Sequence, residues 1–167
     1  NATEVANYFT KKFEVKVDVI SDAQLALLNG LEGQDGTLVI AGTGSVVYGR
    51  QNKKMMRYGG WGFLLGDTGS AYKITAEAMI NALKAHDLNQ ANSLIEPLIN
   101  WLNATNIKQA VQKYYQLNRK DVASLAAKIA ELAEKGDQTA QQILIDQATA
   151  LAGEVLGLIK QYQAPIP

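Results

Sequence analysis

The sequence contains no cysteine among its 167 residues. Disulfides, zinc thiolate sites and iron–sulfur clusters ligated by this chain are therefore excluded. A cytoplasmic setting fits that composition. The single histidine, His86, has no carboxylate cluster near it in sequence, and it falls where a helix C-terminus favours a cation. No protein-built metal site is expected. Proline is scarce, with three residues, and no Pro/Ser linker, repeat or low-complexity tract breaks the chain. The 16 basic and 16 acidic residues cancel. The basic excess that a nucleic-acid or anionic-membrane surface needs is thus missing. No uninterrupted apolar run reaches the about 18 residues of a membrane span, and no stretch reads as a signal peptide. Neither nucleic acid nor membrane is expected as a partner. Hydrophobic residues make up 47% and charged residues 19%, the balance of a globular chain long enough for one sizeable core.

Glycine, in contrast, is plentiful and clustered. One cluster is Ala41-Gly42-Thr43-Gly44-Ser45. The other is Gly59-Gly60-Trp61-Gly62-Phe63-Leu64-Leu65-Gly66-Asp67-Thr68-Gly69-Ser70. Such clusters mark backbone that must approach something closely. Around them, residues 14–20 alternate apolar and polar with β-branched residues, which predicts a strand. Ser21 or Asp22 caps a short helix over 23–29, which Gly30 ends. Residues 37–41, 46–50 and 55–58 read as three strands of a β-meander, with Gly42-Thr43-Gly44 as the first hairpin and Asn52-Lys53-Lys54 as the second turn. From Ser70 onward the pattern is helical. One helix covers 71–86, two shorter ones lie within 89–119 with Pro97 near a first turn, and Asp121 caps the next. Gly136 ends that helix and Asp137 caps the last, which Ala164-Pro165-Ile166-Pro167 closes. Strands followed by helices give an α+β arrangement in one lobe.

The Gly42-Thr43-Gly44-Ser45 turn is not a dinucleotide fingerprint. The third glycine is missing, and the strand Val46-Val47-Tyr48 follows where a helix is required. It lacks the Gly-Lys-Ser/Thr end of a Walker loop as well. What remains is a hairpin whose amides and hydroxyls converge at a strand end, which suits either a phosphate or an ordinary tight turn. In the second cluster Trp61 stands among glycines, and Asp67 precedes a helix start that favours anions or polar ligands. A ring beside a carboxylate suits a sugar; otherwise Trp61 is core and Asp67 a cap. Asp22 lies just past the predicted strand, where it serves as an N-cap or a general base. Tyr114, Tyr115 and Trp101 read as packing residues. The basic pairs at 11–12, 53–54 and 119–120 read as solvated faces.

Together, Val-Ile-Ser-Asp-Ala (19–23), Leu-Val-Ile-Ala-Gly-Thr-Gly-Ser (38–45) and Gly-Gly-Trp-Gly-Phe-Leu-Leu-Gly-Asp-Thr-Gly-Ser-Ala-Tyr (59–72) resemble the N-acetylglucosamine kinase family. A weaker match runs from Lys128-Ile129-Ala130 through Gly136-Asp137 to Ala140. That family belongs to the actin-like ATPase superfamily, with hexokinase and the heat-shock chaperone ATPases as distant relatives. The resemblance implies an α/β fold of the ribonuclease H-like type. Residues 1–34 would be the tail of a small lobe, and 35–167 most of the large nucleotide- and sugar-binding lobe. It implies ATP with Mg²⁺ as co-substrate, and phosphorylation of the 6-hydroxyl of an amino sugar, N-acetylglucosamine or glucosamine. Asp22 would accept the hydroxyl proton. Gly42, Thr43 and Gly44 would hold nucleotide phosphate, and Ala123 would approach the nucleoside. Ser45, Val46, Gly60, Trp61, Gly62 and Asp67 would line the sugar pocket.

The chain departs from the family pattern at Ser21, at Thr68 (where Glu is usual) and at Val46, which offers the sugar no side-chain hydrogen bond. It also lacks the family's first phosphate loop and its C-terminal adenosine motif, so a fragment inactive by itself is expected. Two rivals share the fold: an ATPase that activates a reductase or dehydratase partner, and a non-catalytic sugar-sensing domain. Activators of the first kind bridge subunits with a cysteine-held cluster, for which this chain has no ligand. Asp22 argues against the second. A homodimer is left open.

Overall fold

A computed structural model describes residues 1–162; the expected closure at 164–167 lies outside the described residues. Asn1 and Glu4 form a capping box that starts helix α1 (Ala2–Phe13). Helix α2 (Asp22–Gly30) is capped by Ser21, whose side chain accepts from the Gln24 N–H, so Ser21 and not Asp22 is the cap. Between them, residues 14–20 form no strand. Their alternation is real, but no neighbouring strand pairs with it, and Val15, Val19 and Ile20 are exposed. A strand exists only where its backbone groups find ladder partners.

Strands β1 (Gly36–Ala41), β2 (Ser45–Gln51) and β3 (Lys54–Tyr58) form an antiparallel meander in that order. Ile40 faces Val46 across the first pair, and Tyr48 faces Arg57 across the second. The turn residues Asn52 and Lys53 both adopt positive φ, which matches the right-handed twist of a two-residue hairpin. Alternation on β2 buries Ser45, Val47, Gly49 and Gln51 on one face. The last helix packs there: a Cβ on Gly49 would stand 2.8 Å from Leu158 Cδ2. Tyr162 bonds Thr37 Oγ1 at 2.7 Å, tying the end of that helix to β1.

Helices α3 (Ala71–Asp87), α4 (Ile95–Trp101), α5 (Ile107–Tyr114), α6 (Arg119–Glu134) and α7 (Gln138–Ile159) follow. Ser70 caps α3 and Asp137 caps α7, as their sequence positions predict. Pro97 falls in the first turn of α4, where its missing N–H costs nothing. Helix α6 starts earlier than expected: Asn118 is its cap, and Asp121 gives its N–H to Asn118 Oδ1 at 3.0 Å. The main core joins α3 to α7, with Met79, Leu94, Leu98, Ile129 and Ile143 buried. By length and composition alone α7 is apolar enough to cross a membrane. It packs on α3, α6, β2 and β3, with 17% of its apolar window buried. Helix α1 contributes no buried residue. Tyr115 is 82% exposed, so it is not the packing residue its neighbour Tyr114 is.

Two outcomes test this packing. Ile129 has no exposed surface, so Ile129→Ala should cost ~2–5 kcal/mol in chemical denaturation. Burial, and next the adjacent Tyr72, raise the Tyr114 phenol above its ordinary 10.0. The fold therefore favours the neutral phenol. Its contribution to stability is complete below that ordinary value and is lost as pH rises beyond it. Melting curves at rising alkaline pH should show a shallower fall for Tyr114→Phe than for the wild type.

Candidate active site

One hydrogen bond closes the first glycine cluster and two more tie it to the end of the second and the helix that follows. Gly42 N–H donates to Gly44 O at 2.8 Å, which closes the β1–β2 hairpin. Gly42 O in turn accepts from Ala71 N–H, the first residue of α3, at 2.8 Å. Ser45, 5% exposed, donates from Oγ to Thr68 O at 2.6 Å. The phosphate-type turn is thus pinned to the loop that carries Asp67. Among the described residues the N–H groups of Thr43 and Gly44 donate to nothing. Two amides at the start of α3 are engaged: Ala71 N–H with Gly42 O, and Lys73 N–H with Ser70 Oγ at 3.2 Å.

These contacts frame a cleft of about 390 Å³. The sheet supplies Ile40, Val46, Tyr48 and Arg57 on the face opposite α7, and the turn supplies Gly42, Thr43, Gly44 and Ser45. Gly60, Gly62, Asp67 and Arg119 complete the wall. Gly60 has φ +69°, and an added Cβ would lie 2.7 Å from Val46 Cγ2. Both the backbone conformation and the close approach require glycine there.

Asp67 takes a left-handed backbone, φ 58°. Its side chain is 4% exposed and its Oδ2 accepts from Arg119 Nη2 at 2.5 Å. Arg119 also lies over the Phe63 ring, 5.7 Å from its centroid. Phe63 itself meets Tyr72 edge-on at 4.9 Å. A Cβ on Gly44 would overlap the Arg119 guanidinium and come within 2.6 Å of Asp67 Oδ2. The bare backbone of Gly44 is what lets this ion pair sit against the turn.

Eight of the expected site residues therefore share one cleft: Gly42, Thr43, Gly44, Ser45, Val46, Gly60, Gly62 and Asp67. Three do not line it. Trp61 is 69% exposed, so it is not core. Arg57 stacks on its ring at 4.4 Å, and Trp61 faces a neighbouring recess of about 350 Å³ with Tyr58, Leu65 and Glu154. Glu154 Oε2 is buried there without a hydrogen-bond partner among the described residues. Asp22 is exposed at the first position of α2, its Oδ1 accepting from Ala23 N–H at 2.8 Å. Ala123 is 6% exposed, packed inside α6.

Arg119 was expected on a solvated face and stands in the cleft instead. One signal was available: with Asn118 as cap, Arg119 is the first residue of α6, where the helix dipole disfavours a cation. A cation placed there calls for a carboxylate partner. No sequence signal marked Arg57 or Tyr48.

An antiparallel meander has its first hairpin strapped to the following helix, beside a glycine-rich polar corner. The profile of the BadF/BadG/BcrA/BcrD ATPase family matches residues 1–165, and the chain belongs to that family. Over 149 residues it is 33% identical to the N-acetylmuramic acid/N-acetylglucosamine kinase of Clostridium acetobutylicum, a match that spans 87% of this chain and 49% of that protein. It is 32% identical over 153 residues to the N-acetyl-D-glucosamine kinase of Dictyostelium discoideum, spanning 88% and 48%. The chain thus spans about half the length of the curated relatives it matches. A solved structure from Chromobacterium violaceum, provisionally named as an N-acetylglucosamine kinase, superposes with a TM-score of 0.77 over 94% of this chain and 57% of its own. At 21% identity that likeness establishes the fold.

Gly60→Ala should destabilise the protein by about 1–3 kcal/mol, read as a lower urea midpoint. Val46→Ala in the same background should restore part of the loss by removing the methyl groups that the new Cβ meets.

Proposed function

We propose that this chain forms the nucleotide- and sugar-binding part of an ATP-dependent kinase that phosphorylates the 6-hydroxyl of an amino sugar, N-acetylglucosamine or glucosamine. The observation that carries the reading is the strapping of the turn at 42–45 onto the loop at 60–68, which puts free amides and a buried carboxylate in one cleft. The names of both curated relatives support it. In this reading residues 1–34 belong to a small lobe and 35–167 to a large one.

The roles divide by chemistry. Thr43 and Gly44 offer unengaged N–H groups to nucleotide phosphate. Asp67, with Gly60 and Gly62 leaving room beside it, accepts from sugar hydroxyls. Trp61 and the Arg57 stacked on it stand at the rim of the sugar pocket. Asp22 accepts the proton of the 6-hydroxyl as its oxygen attacks the γ-phosphorus and ADP leaves. Asp22 stands exposed at the first position of α2, a helix that packs on β1 and β2. Among the described residues no group of three His, Asp or Glu gathers for a cation. Mg²⁺, when bound with the nucleotide, would neutralise phosphate charge; such an ion is ordinarily held by one or two carboxylates together with the phosphates. In this reading Ala123, buried in α6, belongs to the nucleoside side.

In the protein at its full length, Asp22→Ala should lower kcat by about 10²–10⁴ while leaving sugar affinity nearly unchanged. A coupled ADP-release assay over several sugars, with calorimetric sugar binding alongside, reads both. Turnover equal to the wild type would remove Asp22 from the role of base.

A further inference from the structure

Arg119 lies 52 residues along the chain from Asp67, yet the two meet at 2.5 Å in the cleft. Several observations show that the position is built for this contact. The cation stands in the first turn of α6, on the side of the helix dipole that disfavours it. The Phe63 ring supports the guanidinium from one side. On the other, Gly44 leaves the space that a Cβ would fill. The Arg119 side chain is 43% exposed and that of Asp67 4% exposed, and both residues line the cleft. Only Oδ2 of Asp67 is engaged. Among the described residues Oδ1 accepts no hydrogen bond, and Asp67 lines the cleft.

We propose that Arg119 is a positioning residue for sugar recognition. It anchors Oδ2 of Asp67 and fixes the carboxylate so that Oδ1 accepts from a sugar hydroxyl. A forked, planar guanidinium restrains the carboxylate in a way that an ammonium point charge does not. The proposal rests on the kinase reading above and adds to it a specificity-setting residue contributed by α6, outside both glycine clusters. It makes a particular separation of effects: the sugar should feel the loss of Arg119, and the nucleotide should not.

The test uses the full-length protein in steady state with N-acetylglucosamine and ATP, comparing wild type with Arg119→Gln, Arg119→Lys, Asp67→Asn and the double variant Asp67→Asn/Arg119→Gln. Arg119→Gln should raise the sugar KM about 10-fold or more, the worth of one hydrogen bond to a charged group, with the ATP KM nearly constant. Arg119→Lys should recover part of the loss, and it provides the reading if the glutamine variant fails to fold. The double variant should be no worse for sugar than Asp67→Asn alone, since the two residues act as one unit. An unchanged sugar KM in Arg119→Gln, or an ATP KM that rises as much as the sugar KM, would overturn the proposal, the second result giving Arg119 to the phosphates. Additive losses in the double variant would overturn it too. A wild type that phosphorylates no amino sugar would overturn the kinase reading and take this inference with it, whereas an active wild type indifferent to Arg119 overturns the inference alone.

Discussion

A carboxylate that is 4% exposed cannot stand without compensation, and Arg119 at 2.5 Å provides it. Breaking a fully buried pair by deleting one partner costs about 3–5 kcal/mol, while an exposed pair is worth about 0–1. Arg119 is 43% exposed, so solvent screening places this pair between those limits. The geometry matters more than the sum. The pair joins the start of α6 to the loop after β3, and the guanidinium rests against the first hairpin at Gly44. Three segments that are remote in sequence converge on one charge interaction, and the shape of the cleft follows from it.

The rest of the site is arranged around that convergence by backbone economy. The Gly42 carbonyl receives the first N–H of α3, and the Ser45 hydroxyl receives its acceptor from Thr68. These bonds use up the polar groups that would otherwise be orphaned at a strand end and a helix start. They leave the Thr43 and Gly44 amides without a partner in the described chain. In the kinase reading proposed above, those amides hold phosphate and Asp67 accepts from a sugar hydroxyl. The covered face of the sheet, with Val47 under α7, gives this cleft a rigid floor.

Much of this was legible in the sequence, because it depends on local rules. The meander, its Gly42-Thr43-Gly44 hairpin, and the Ser70 and Asp137 caps follow from turn chemistry and capping preferences that act over a few residues. The glycine clusters announced close approach, and Gly44 and Gly60 each sit where a Cβ has no room. The strand expected at 14–20 failed for a non-local reason: alternation identifies a chain able to pair, and pairing needs a neighbour. Arg119 escaped for the same kind of reason. Nothing within several residues of it shows that its partner lies 52 positions away. Trp61 illustrates a third limit. Its glycine-rich flanks marked it as special, but not which side of the loop its ring would take, and it turns outward under Arg57.

The central claim is that phosphate and sugar meet in the single cleft between the turn at 42–45 and the loop at 60–68. A crystal structure of the full-length protein with ADP and N-acetylglucosamine tests it most directly. The account predicts the nucleotide's terminal phosphate on the Thr43 and Gly44 amides, and the sugar within hydrogen-bonding distance of Asp67, with Arg119 still on Oδ2. A sugar seated instead in the recess between Trp61 and Glu154, with Asp67 untouched, would contradict it.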